Sequence, residues 1–131
     1  MLVSEIMKAQ VITVSPLATV RDALRMMNER GVKSLVVEKR HPSDAYGLIA
    51  YREVARAVIA EDGDIDLLNV YDIAQKPALQ VSQHLDVRYL ARLMIQYAVK
   101  NVLVIDNNEL QGFVSDTDVV RHLIERASRE H

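Results

Sequence analysis

The strongest constraint on this chain is its likeness to itself. Sliding the sequence by 67 residues lays Ile6 on Ile73, Val14-Ser15 on Val81-Ser82, Val20-Arg21 on Val87-Arg88, and Arg25 on Arg92. The same shift aligns Met27 with Met94, Val32-Lys33 with Val99-Lys100, and Val37 with Val104. Ten identities fall within the 32 positions from Ile6 to Val37 without a gap. After a loop two residues longer in the first copy the offset becomes 65, and Gly47, Val54 and Arg56 meet Gly112, Val119 and Arg121. The chain therefore reads as two copies of one unit, 1–60 and 68–131, joined by a linker at 61–67 that opens with Glu61-Asp62-Gly63-Asp64. Its 131 residues suit one compact module made of both copies. A chain of that size buries roughly 68–70% of its unfolded surface, so no metal or disulfide staple is required.

Each copy predicts the order strand, helix, strand, strand, helix. The first strand spans Val11–Val14 in one copy and Ala78–Val81 in the other, and Ser15-Pro16 ends it in a turn. Val20, Ala23, Leu24 and Met27 then recur at helical spacing, matched by Val87, Leu90, Ala91 and Met94. Thr19 with Asp22 predicts a capping box, and Gly31 suits the helix stop. Leu35–Val37 and Val102–Ile105 are short apolar strands, and Asp106-Asn107-Asn108 supplies turn chemistry before the strand around Phe113-Val114. The last helix of each copy starts near Arg52 or Asp116.

One copy alone leaves a sheet face open to water, at about 25 cal/mol per Å² of apolar area. A second copy related by a pseudo-twofold covers that face. The expected fold is α/β of the α+β kind: two β-α-β-β-α repeats with small sheets packed face to face and helices outside. Grooves where the copies meet are the expected ligand site.

Charge and composition exclude several functions. Sixteen basic residues against eighteen acidic leave a net charge of −2, with no basic field for a nucleic-acid backbone. The absence of cysteine excludes disulfides, thiolate nucleophiles and Cys-ligated metal. The longest apolar runs, Ala57–Ala60 and Val102–Ile105, are four residues where a spanning helix needs about 20, and the N-terminus lacks the basic cluster of a secretory signal. A cytoplasmic protein without membrane contact is expected. Gly31, Gly47, Gly63 and Gly112 are scattered and form no phosphate loop. His41, His84, His122 and His131 lack ligand spacing, so no metal is expected. Ser115, Asp118 and His122 lie on or beside one helix with no third element to aim them, which argues against a catalytic triad. Met26, Met27 and Met94 read as core or dimer-face residues, and the five tyrosines as groove edges and dimer contacts.

Ser4-Glu5-Ile6-Met7, Val14-Ser15-Pro16, the Val20–Leu24 helix start, Gly31–Val37 and Gly112-Phe113-Val114-Ser115-Asp116-Thr117-Asp118 together resemble the cystathionine-β-synthase (CBS) domain. The resemblance covers nearly the whole chain and occurs twice. It implies a non-catalytic tandem pair that binds an adenosine-containing regulatory ligand, such as AMP, ADP or ATP, and sometimes S-adenosylmethionine or a dinucleotide. It also implies a homodimer acting on a protein effector, here expected to be separate, with no catalytic cofactor. In that family the Ser/Thr and Asp after the third strand hold ribose or phosphate, and here they are Ser115 and Asp118. A carboxylate can accept from both vicinal hydroxyls of a ribose, at roughly 1.5–3 kcal/mol for each charge-assisted bond. Arg121, one turn on, is placed to reach a phosphate.

By the same resemblance the adenine lies against Val11, Ile12, Thr13, Val32, Lys33 and Ser34, with Val114 behind it. Lys33 and Lys100 are basic candidates for phosphate, or plain solvated strand-end lysines. The first copy has Ala50 for Ser115 and Glu53 for Asp118, while Arg56 matches Arg121. The longer Glu53 is expected to carry its oxygens elsewhere, giving a weakened second site of Ala50, Glu53, Arg56, Leu79, Lys100 and Asn101. The alternative is a ligand-independent dimerisation or protein-interaction module in which Ser115 and Asp118 serve only as a helix cap. An enzyme acting on a nucleotide is the third reading, and no nucleophile–base arrangement supports it.

Overall fold

Residues 1–129 are described by a computed structural model; Glu130 and His131 lie outside the described residues. The strands are β1 (Thr13–Val14), β2 (Ser34–Val37), β3 (Gly47–Ala50), β4 (Gln80–Val81), β5 (Asn101–Asp106) and β6 (Glu109–Ser115). The helices are α1 (Val20–Arg30), α2 (Tyr51–Val54), α3 (Val70–Ile73), α4 (Val87–Gln96) and α5 (Asp116–Arg129). A 3-10 turn at Val3–Glu5 precedes them, and α2 continues into a π-helical run at Ala55–Ala60. Two three-stranded sheets result, β1-β2-β3 and β4-β5-β6, each with one parallel and one antiparallel pair. The mixed α+β class and the element order within each copy follow the sequence reading. The first strands are shorter than predicted, two residues each in place of four.

Two units pack as compact bodies. One comprises residues 12–78, and the other residues 1–11 together with 79 onward. In the first, Val20, Ala23 and Met27 form the buried stripe of α1 and meet Leu35 and Val37 of β2, Ile49 of β3, and Val70 and Ile73 of α3. Thr19 and Asp22 cap α1 reciprocally, each side chain accepting the other's N–H at 3.1 and 3.2 Å, and Gly31 closes the helix in the left-handed region at φ 64°. The acidic stretch after residue 60 is anchored. The N–H groups of Val20 and Arg21, left without helical partners, donate to the carbonyls of Leu68 and Ile65, and Arg21 pairs with Asp66.

The second unit repeats the plan with Leu90 and Met94 of α4 packed on Val81, Val102, Val104 and Val114, and Val3 completes the cluster. Asn107 and Asn108, both at positive φ, turn the β5–β6 hairpin as the asparagine pair predicts. The N–H groups of Val3 and Ser4 donate to the carbonyls of Leu85 and Gln83, and Lys8 exchanges two backbone hydrogen bonds with Phe113 at 2.9 and 3.0 Å. Leu48 and Gln75 exchange the same pair of bonds in the first unit. By the repeat offsets Gln75 matches Lys8 and Leu48 matches Phe113. Thus the segment ahead of each copy's first strand straps the third strand of the other copy. Packing therefore divides the chain about eleven residues later than the repeat does.

Candidate functional site

The junction of β6 and α5 gathers the chemistry expected of the second copy. The Ser115 N–H and hydroxyl both donate to Asp118 Oδ2, at 2.8 and 2.9 Å, and the Asp118 N–H donates to Ser115 Oγ at 3.2 Å. The Thr117 hydroxyl lies 2.9 Å from Ser115 Oγ. This is a capping box, with an acid in the first turn of a helix. The carboxylate is nonetheless buried, its side chain 5% exposed. Its other oxygen, Oδ1, faces two cations, Arg121 at 3.5 Å and Lys8 at 3.6 Å. Among the described residues no N–H or O–H donates a hydrogen bond to Oδ1, so its lone pairs remain available. Both cationic side chains are more than half exposed.

Lys8 is the site residue that sequence reasoning missed. It reaches Asp118 because the strap pairs with Phe113, and that pairing needs Gly112: a Cβ there would stand 2.8 Å from the Lys8 carbonyl oxygen. The repeat itself hides the residue, because the matched position is Gln75 and no second lysine marks it.

In the first copy the same corner is built with fewer functional groups. The expectation that Glu53 would carry its oxygens elsewhere is corrected by the structure. Glu53 is buried, and its Oε1 accepts the Ala50 N–H at 2.8 Å, as Asp118 Oδ2 accepts that of Ser115. The extra methylene does not displace the contact. Ala50 brings no hydroxyl, and Arg56 turns to the Ile73 carbonyl at 3.5 Å. Of the other residues assigned to this weaker site, Leu79, Lys100 and Asn101 belong to the second unit. There the Leu79 carbonyl accepts from Leu103 N–H, the Lys100 carbonyl accepts from Asp116 N–H, and Asn101 stands opposite Ser115.

The residues expected to wall the adenine divide between the units. Ile12, Thr13, Val32, Lys33 and Ser34 belong to residues 12–78, whereas Val11 and the fully buried Val114 belong to the other unit. Thr13 donates its hydroxyl to Glu38 at 2.9 Å, Ser34 stands opposite Ala50, and Lys33 is exposed. His122 keeps Nε2 buried without a hydrogen-bond partner among the described residues, and Asp118 bonds directly to Ser115, so these three do not form a nucleophile–base relay. Among the described residues no three His, Asp or Glu side chains cluster closely enough to hold a metal ion, and no helix is long and apolar enough to cross a membrane.

The CBS-domain family model matches residues 3–60 and 70–125. An uncharacterised protein of Methanopyrus kandleri is 28% identical over 122 residues, 91% of this chain and 61% of that protein. A second, from Methanocaldococcus jannaschii, is 26% identical over 127 residues, 96% of this chain and 45% of that one. The chain thus spans about half the length of these archaeal relatives. A solved structure of a hexameric CBS-CP12 protein from bloom-forming cyanobacteria superposes with a TM-score of 0.90 at 32% identity, covering all of this chain and 76% of that one.

Proposed function

The chain belongs to the CBS-domain family as a tandem pair, and from that premise we propose that it is a non-catalytic regulatory module whose second copy binds an adenosine-containing ligand such as AMP, ADP or ATP. The observation that carries this reading is the state of Asp118: one oxygen is held by Ser115, and the other, which accepts no hydrogen bond among the described residues, lies beside two exposed cations. Vicinal ribose hydroxyls would donate to Oδ1, and Arg121 would take phosphate. The Glu53 corner, without a hydroxyl and with its carboxylate folded onto Ala50, would be the weaker site. A ligand of about 23 heavy atoms at about 0.3 kcal/mol per atom reaches near −7 kcal/mol, a micromolar affinity suited to sensing. It would signal only by its differential affinity for two states of the module.

Thermal denaturation with AMP, ADP and ATP tests the proposal. At 100 times its dissociation constant a ligand adds about 2.7 kcal/mol. Asp118→Ala should abolish that gain, while the loss of its capping contact costs about 1 kcal/mol and leaves the protein folded. Equal melting with and without every nucleotide would overturn the reading.

A second reading, ligand-independent self-association, has its own support. Val120, Leu123 and Ile124 form an exposed apolar stripe on α5, from 52 to 64% exposed, and the cyanobacterial relative is hexameric. Sedimentation analysis with and without AMP separates the readings. A homodimer unaffected by nucleotide in assembly or stability favours this second one.

A further inference from the structure

Lys8 and Arg121 approach one carboxylate oxygen, Oδ1 of Asp118, from two elements, the N-terminal strap and α5. Their nitrogens stand 3.6 and 3.5 Å from that atom and so lie within about 7 Å of each other. That bound allows two donors on different oxygens of a single phosphoryl group, and the charge of the three side chains sums to +1. The ammonium is tethered to a fixed backbone, because Lys8 is bonded to Phe113 on both its N–H and its carbonyl, and Gly112 lets the two strands close. Both cationic side chains remain more than half exposed, so an anion from solution can reach them without unfolding the strap. Nothing equivalent exists in the first copy, where Gln75 stands at the matched position and Arg56 is turned to the Ile73 carbonyl.

We infer that Lys8 and Arg121 form a two-cation clamp on the phosphate next to the ribose, and that Lys8 makes the second-copy site select phosphorylated nucleosides over free nucleosides. The inference rests on the nucleotide reading above and adds a residue and a ligand class to it. An ammonium-to-phosphate contact is a charge-assisted hydrogen bond of the stronger kind. Its loss from a partly solvated position should weaken AMP about tenfold and leave adenosine, which has nothing to offer Lys8, unchanged.

The test is calorimetric titration of the full chain with AMP, adenosine and S-adenosylmethionine, using wild type, Lys8→Met and Lys8→Arg. The expected result is a preference of wild type for AMP over adenosine that shrinks about tenfold in Lys8→Met and returns in Lys8→Arg. Weaker binding of AMP with rising salt should accompany it in wild type and be reduced in Lys8→Met. An equal loss for AMP and adenosine in Lys8→Met would make Lys8 a structural residue and overturn the inference while sparing the nucleotide reading. Unchanged AMP binding in that variant, or tighter binding of the cationic S-adenosylmethionine than of AMP by wild type, would overturn it as well. If wild type binds none of the three, the nucleotide reading falls and the clamp with it.

Discussion

Replacing Gly112 by alanine tests the strap, the feature on which the site's geometry depends. Gly112 lies within β6 and not in the left-handed region, so the alanine backbone is unstrained there, and restriction of the unfolded chain alone would stabilise by about 0.4–1 kcal/mol. Sterics oppose this. The new Cβ would stand 2.8 Å from both the Lys8 carbonyl oxygen and Met7 Sδ, about half an ångström inside ordinary contact. The thioether can rotate away. The carbonyl cannot, because it accepts the Phe113 N–H at 3.0 Å while the Lys8 N–H donates to Phe113 at 2.9 Å. Opening that pair forfeits two hydrogen bonds at about 0.5–1.5 kcal/mol each, so the net loss should be about 1–2 kcal/mol. Urea denaturation measures it, and amide exchange at Lys8 and Phe113 locates it. At Gly47 a Cβ meets the Gln75 carbonyl at 3.0 Å, a milder clash, so Gly47→Ala should cost less than Gly112→Ala. If Gly112→Ala is as stable as wild type and both amides keep their protection, the strap is not held as described.

Acid should destabilise the protein through four aspartates. Lys76 and the Arg40 N–H hold the Asp44 carboxyl well below the ordinary 3.8, and Arg21 lowers Asp66. The Arg88 N–H lowers Asp86, and the Ser82 hydroxyl with the Gln83 N–H lowers Asp106. Because these values are depressed in the folded state, the stabilisation is intact above about 4 and is lost as pH falls below it, when the unfolded chain binds protons first. Urea midpoints should therefore hold level from pH 7 to 5 and drop below 4; a midpoint that rises on acidification contradicts this. Rebuilding the first copy as Ala50→Ser, Glu53→Asp and Gln75→Lys should raise the stoichiometry of AMP measured by calorimetry above that of wild type, and an unchanged stoichiometry would count against the site's assigned parts.

Where the sequence was readable, the reason is local. The Thr19–Asp22 box, the Gly31 stop and the Asn107-Asn108 turn each depend on residues within a few positions, and each formed as read. The helical stripes were equally legible, because burial of Val20, Ala23 and Met27 follows from their spacing. The strap was not. Pairing of Lys8 with Phe113 joins residues over a hundred positions apart, and the segment carries no alternating apolar pattern to announce a strand. The role of the acidic stretch was hidden for a similar reason: it is polar, yet its neighbours Ile65 and Leu68 offer carbonyls to the uncapped N–H groups of α1. At the site, Ser115 and Asp118 came from the resemblance to the CBS domain, and Arg121, matched to Arg56, came from the repeat. It could not supply Lys8, since a comparison of copies finds only what both copies keep.

That difference between the copies bears on the two roles open to Asp118. Closing the strand-to-helix corner requires an acceptor for the N–H of the last strand residue, and Glu53 meets that need in the first copy with alanine ahead of it and, among the described residues, no ion-pair partner. If capping were the whole task in the second copy, a carboxylate held by one N–H would suffice there too. Instead the corner carries a second donor on Oδ2, the Ser115 hydroxyl, and two cations gathered around an oxygen that the cap leaves unused. The equally buried Glu53 closes its corner without an ion-pair partner among the described residues, so a buried carboxylate at this position does not by itself call for two cations. A ligand that presents hydroxyls and a phosphate together would use every one of these groups, and this is the physical ground for proposing the stronger site in the second copy and the weaker one in the first.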